Sequence, residues 1–202
     1  MRRIIAVLVV VAVAFGCGYI AGSGKKPPGV SFDDMIVNHP RDLMTLITPK
    51  DKRVRALAAG LKSHEDAYAY VRDRIAFDPS RPALPAGDIL VEGRASCIGK
   101  AVLLCSLYRA MGFPPGAVRV VTGEVDALGG VIDHAWVDLE HDGVDIQQDP
   151  TTLLGTFTFD QFKGSDYTRS FIRKEGYVFN DRHFAVVSRL NLMKGMGHPQ
   201  VP

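Results

Sequence analysis

Cysteine is scarce in this chain: three among 202 residues, at positions 17, 97 and 105. No CxxC pair occurs, and His64-Glu65 has no second histidine four residues after the first, so the usual zinc-site spacings are missing. The other histidines, at 39, 141, 183 and 198 besides 134, are scattered and read as surface or loop residues, and no metal or cofactor is expected. Charge of one sign is also lacking. The formal net charge is +2, and no basic stripe interleaved with aromatics appears, so nucleic acid is not expected as a partner. There are no internal repeats and no low-complexity tract. Tryptophan occurs once, at 136. What is present is an apolar fraction of 47%, enough for one good core.

Met1-Arg2-Arg3 precedes Ile4 to Gly22, nineteen residues without a charge. At ~1.5 Å per residue such a helix nearly crosses a hydrocarbon core. Residues 1–22 are therefore expected to target the chain to a membrane, which residues 4–22 contact. Two readings fit: a signal anchor or plain cleaved signal, or a lipoprotein signal with Cys17 acylated after Ala14-Phe15-Gly16. Either places the protein outside the cytoplasm, tethered to the outer face of the cytoplasmic membrane or periplasmic. Residues 23–31, rich in Gly, Pro and Lys, read as a linker, and 32–202 as one domain.

Within that domain, Thr48-Pro49-Lys50-Asp51 predicts a helix start running to about Leu61, and Ser63 caps a second helix to about Ile75. Phe77 to Asp88, with four residues Pro or Gly, reads as a long irregular connection. Cys97 to Met111 reads as a buried helix closed by Gly112 and Pro114. Cys105 lies among its apolar residues and reads as core. Eight residues of helix, about 12 Å of rise, separate it from Cys97, which is too far for a disulfide. Ala117 to Val125 predicts a strand paired with Val131 to Glu140 across Gly129-Gly130. The tail after Thr152 is dense in aromatics (Phe157, Phe159, Phe162, Tyr167, Phe171, Tyr177, Phe179, Phe184), too many for a disordered segment, and is expected to cover the core.

Cys97 stands in the first turn of its helix, facing unsatisfied N–H groups and the positive end of the dipole, which favour an ionised sulfur. His134 to Glu140 and Val144 to Gln148 read as a hairpin. Asp142-Gly143 between them predicts a type I′ turn, which sets His141 opposite Val144, Leu139 opposite Ile146 and Val137 opposite Gln148. One face is then apolar: Ala135, Val137, Leu139, Val144, Ile146. The other carries His134, Trp136, Asp138 and Asp149, with Asp149 diagonal to His134 and within reach of its imidazole. A one-residue slip would move Asp149 to the other face. A cysteine, a histidine and an aspartate so placed are a nucleophile, its base and the base's orienter. Ser96 reads as the helix cap, Arg94 as solvated and Asp133 as a turn residue. Trp136 either packs against the cysteine helix or shields His134 from water.

Residues 67–152 resemble the transglutaminase-like core of the papain-like cysteine enzymes. The resemblance rests on Tyr70-Val71-Arg72-Asp73-Arg74-Ile75, Ser96-Cys97 with Ala101-Val102-Leu103-Leu104, Tyr108 to Pro114, His134-Ala135-Trp136-Val137 and Asp149-Pro150-Thr151. It implies an α+β fold with the cysteine-bearing helix packed on an antiparallel sheet. It implies Cys97 as nucleophile, His134 as base and acid, and Asp149 as orienter. It also implies amide hydrolysis or acyl transfer through a thioester, on a protein or peptide amide, a cell-wall peptide among the candidates. A non-catalytic, membrane-tethered binding or assembly module on the same fold is the alternative. Many members carry a glycine immediately before or two before the cysteine, whereas here Gly93 is four before. Papain's upstream oxyanion glutamine has no counterpart, because all four glutamines lie downstream.

Overall fold

The computed structural model describes residues 40–187, so the expected targeting segment 1–22 with Cys17, the expected linker 23–31, His39 and His198 lie outside the described residues. The first layer is helical. Helix α1 spans Pro40–Leu46 and α2 Lys52–Gly60. The cap of α2 is Asp51, not Thr48. The Asp51 carboxylate accepts from the N–H groups of Arg53 and Val54, while Thr48 to Asp51 closes a turn through the Asp51 N–H at 3.0 Å. A carboxylate satisfying two orphan donors outcompetes the threonine three residues earlier, so the helix starts later than expected. Helix α3, His64–Arg74, is capped as expected, the Asp66 N–H donating to Ser63 Oγ at 3.2 Å.

The stretch expected to be irregular holds two elements. Strand β1 (Ala76–Phe77) pairs in parallel with β2 (Arg94–Ala95), and α4 (Ala86–Glu92) lies between them. Seven residues without a side-chain cap, entered through Pro85, leave little helical signature. Gly93 ends α4 at φ +65, a left-handed conformation that glycine adopts without steric cost.

Helix α5, Cys97–Ala110, is buried without interruption from Ile98 to Tyr108. It is apolar on nearly every side because every side is covered: it packs against α2, α3, α4 and the sheet. Its one buried hydroxyl besides Tyr108, Ser106 Oγ, donates to Val102 O and accepts from the Thr48 N–H.

The sheet has six strands in the order β6-β5-β4-β3-β7-β8, neighbours antiparallel. These are β3 (Val118–Ala127), β4 (Gly130–His141), β5 (Val144–Gln148), β6 (Phe162–Lys163), β7 (Ile172–Phe179) and β8 (Phe184–Val186). A six-residue helix, α6 (Asp166–Phe171), precedes β7. The β4–β5 register is the one the turn dictates, with Leu139 opposite Ile146 and Val137 opposite Gln148. Asp142 and Gly143 have φ of 53° and 74°, as a type I′ turn requires. The β3–β4 loop is Leu128-Gly129, and Gly130 already belongs to β4.

Strand alternation splits the core in two. Ala135, Val137 and Leu139 face α5 with Val118 and Val120. On the opposite side Trp136, Val121 and Val125 meet Phe157, Phe162 and Tyr167 from the tail. Trp136 therefore does not pack against the cysteine helix. It shares the period-2 face of His134, and α5 occupies the other face. The aromatic tail supplies this second core and, through β7, a neighbour for β3.

Candidate active site

The segment leading to Cys97 is held on both sides. The Ala76 N–H donates to Gly93 O and the Asp78 N–H to Ala95 O, each at 2.9 Å, so the parallel β1–β2 pair aims the chain at the start of α5. Cys97 is the first helical residue and half-buried. Ser96 occupies the cap position, but its hydroxyl makes no cap bond and is buried without a partner, so it is a cap by place only. Arg94 is exposed. Cys105 is a fully buried free thiol, which burial pushes towards the neutral form.

His134 and Asp149 are both completely buried, and His134 Nε2 lies 2.9 Å from Asp149 Oδ2. The carboxylate is anchored elsewhere too. Oδ1 accepts from the Thr151 N–H at 2.9 Å, Oδ2 accepts from Tyr167 Oη at 3.1 Å, and the Asp149 main-chain oxygen accepts from Tyr68 Oη at 2.8 Å. His134 Nδ1 is buried and makes no hydrogen bond. Burial opposes charge on this ring. The Asp149 charge and hydrogen bond, with a further contribution from Cys97, outweigh it and push His134 up to about 10. Asp149 and Cys97 thus both favour the charged form of the imidazole against its burial.

Several residues of this neighbourhood escaped the sequence reading. Lys100, one turn beyond Cys97, is 1% exposed. Its Nζ donates to Arg72 O and Ile75 O at 3.0 and 2.9 Å, satisfying carbonyls at the end of α3. Burial pushes it down to about 8, against the pull of Asp149. A lysine inside the apolar run Ile98 to Leu107 was the visible signal. Arg72 Nη1 and Tyr68 Oη both reach Phe157 O, tying the loop after Asp149 to α3. Tyr167 carried no signal beyond the aromatic density of its segment.

Two other readings change. Asp133 is a strand residue opposite Glu124, not a turn residue. His64 and His141 are not scattered. Their Nδ1 and Nε2 lie 3.0 Å apart beside Phe113, and burial with the neighbouring His141 lowers the His64 pKa. Among the described residues no group of three or more His, Cys, Asp or Glu could hold a metal ion, and no helix is long and apolar enough to cross a membrane.

Residues 51–145 match a family model described as the transglutaminase-like superfamily. Asp149 and the aromatic tail lie past that match. No curated protein matches the chain. Among solved structures, a Cytophaga hutchinsonii protein provisionally assigned as a cysteine protease is similar at 18% identity and a TM-score of 0.46, over 80% of this chain and 56% of that one. The chain thus spans little more than half of that relative. EGTA-treated LapG of Legionella pneumophila is similar at 13% identity and a TM-score of 0.44, over 68% of this chain and 85% of that one. A Parabacteroides distasonis protein, provisionally a protease, is similar at 18% identity and a TM-score of 0.38, over 52% of this chain and 25% of that one.

Proposed function

We propose that Cys97, His134 and Asp149 act as nucleophile, base and orienter in the cleavage of an amide bond, a reading supported by the match of residues 51–145 to the transglutaminase-like superfamily model. The observation that carries this reading is the fully buried His134–Asp149 bond at 2.9 Å, which favours the charged form of an imidazole on which Cys97, the first residue of its helix, also acts.

The steps follow from those positions. The Cys97 thiolate attacks the amide carbonyl, forming a C–S bond. The oxyanion is stabilised by the Cys97 backbone N–H, a free donor of the first turn. His134 gives its proton to the departing amine as the C–N bond breaks, leaving a thioester on Cys97. Water then adds to the thioester carbonyl and releases an acid as the C–S bond breaks to the thiolate, or an amine accepts the acyl group with the same loss of thiolate. In both cases His134 takes the proton of the acceptor, and Asp149 holds the ring throughout. The substrate is a protein or peptide amide, with a cell-wall peptide the candidate if residues 4–22 tether the domain outside the cytoplasmic membrane.

Mass spectrometry of the full chain with mixed peptide substrates should find an acyl adduct on Cys97, and Cys97→Ala should abolish turnover with an unchanged melting temperature. Undiminished turnover in Cys97→Ala would sink the catalytic reading. The complete burial of His134 and Asp149 supports a second reading. In it the three residues are a structural polar network of a non-catalytic binding module. Alkylation separates the two, since a Cys97 that resists iodoacetamide at neutral pH in the folded protein favours the module.

A further inference from the structure

Asp149 Oδ2 receives two donors. One is His134 Nε2 at 2.9 Å, and the other is Tyr167 Oη at 3.1 Å, from a helix beyond residues 51–145. Tyr167 is completely buried, and its ring lies 5.8 Å from Trp136 and 5.2 Å from both Phe162 and Phe171. A ring held on several sides cannot swing, so the hydroxyl direction is fixed by the second core. Burial and the adjacent Asp149 charge push the Tyr167 hydroxyl far above its ordinary range, so it stays a donor.

We infer that Tyr167 is a positioning residue of the proposed site, holding the Asp149 carboxylate in plane and drawing charge from the oxygen that faces His134. The inference rests on the reading of Asp149 as orienter. Two consequences follow from one hydrogen bond. With Thr151 N–H on Oδ1 and Tyr167 on Oδ2, the carboxylate has no freedom to rotate away from the ring. A carboxylate that shares its charge with a hydroxyl also holds the imidazolium proton less tightly. That matters because a base whose affinity is too high does not release its proton to a leaving amine. The other titratable groups that act on this cluster are Cys97, Tyr68 and Lys100. None of them donates to Oδ2.

The test reads His134 directly. In the full chain, ¹⁵N-histidine NMR follows the His134 titration in wild type, in Tyr167→Phe, and with 3-fluorotyrosine placed at 167. Phenylalanine keeps the ring packing and deletes the donor. The His134 midpoint should rise by roughly 0.5–1 on the pH scale, the size expected when one hydrogen bond to a charged group is partly transmitted. Fluorotyrosine is a stronger donor of nearly the same shape and should move the midpoint the other way. A midpoint unchanged in both variants overturns the inference. Should the phenylalanine variant fail to fold, the fluorotyrosine protein decides alone, and no downward movement overturns it. Because the readout needs no turnover, a chain without amidase activity would sink the proposed function while leaving this result to stand or fall by itself.

Discussion

Asp149 has one more obligation than a lone orienter needs. Its two oxygens take donors from opposite sides, Thr151 N–H on one and His134 with Tyr167 on the other. An asparagine has a single oxygen for both sides, so Asp149→Asn must turn its NH₂ towards one set of donors. It also withdraws the charge that holds the imidazolium. We expect turnover to fall by about 10–10³, less than the roughly 10⁴ of serine-protease triads, because a cysteine enzyme begins from a thiolate–imidazolium pair. The comparison is Asp145→Asn, an exposed strand residue opposite Glu140, which should keep near-wild-type turnover. Equal rates for the two would remove Asp149 from the mechanism. At this scale the sequence made His134 and Asp149 legible through a single device, the Asp142-Gly143 turn, whose register fixes which side chains share a face. Tyr167 was not legible, since nothing local to it predicts which carboxylate a residue 18 positions away will meet.

At the scale of elements, the start of α2 shows how a local cap also joins distant pieces. Asp51 accepts from two helix N–H groups and from the Arg53 guanidinium, and Arg53 reaches on to Asp88 of α4 at 3.1 Å. A Cβ at Gly87 of α4 would sit 2.6 Å from the same carboxylate, so α4 approaches α2 only because that position is glycine. Asp51→Ala should lower stability by about 1 kcal/mol at neutral pH, measured by denaturant unfolding. The side-chain bond from Arg53, opposed by desolvation and reinforced by the helix N–H groups, lowers the Asp51 pKa to about 2. A folded value below the unfolded one means that this stability is present above about pH 4 and is lost as pH falls through 2. The gap between wild type and variant should therefore close in acid, and a gap independent of pH would contradict the ionic cap. Helices α2, α3 and α5 and the hairpin were readable because caps, apolar runs and turn residues are local signals. The shift of the α2 start and the existence of α4 were not. The first was missed although its signal is local, because Thr48 and Asp51 are both cap residues three positions apart, and the second depends on contacts between α2 and α4 that no window of sequence contains.

Across the described residues, the sheet has two cores, and the segment after Thr152 covers one of them. Phe157, Phe162 and Tyr167 close over Trp136, and β7 pairs along β3. A chain ending at Thr152 keeps the matched family region yet loses this face. We expect it to lack cooperative unfolding. The single tryptophan, fully buried in the complete domain, should report the loss as a red-shifted emission. Native-like emission from the truncated chain would show that the first core suffices. The aromatic density of the tail made its burial legible, but not the place of β7 between β3 and β8 in the sheet's order, which is a matter of topology. That topology also sets a schedule. About seventy residues separate Cys97 from Tyr167. At ribosomal speeds of roughly 5–20 residues per second, that stretch takes on the order of 4–14 s to synthesise. A newborn chain thus carries the Cys97 sulfur for several seconds before the hydroxyl that bonds Asp149 exists, so the domain is made with its proposed chemistry still unassembled.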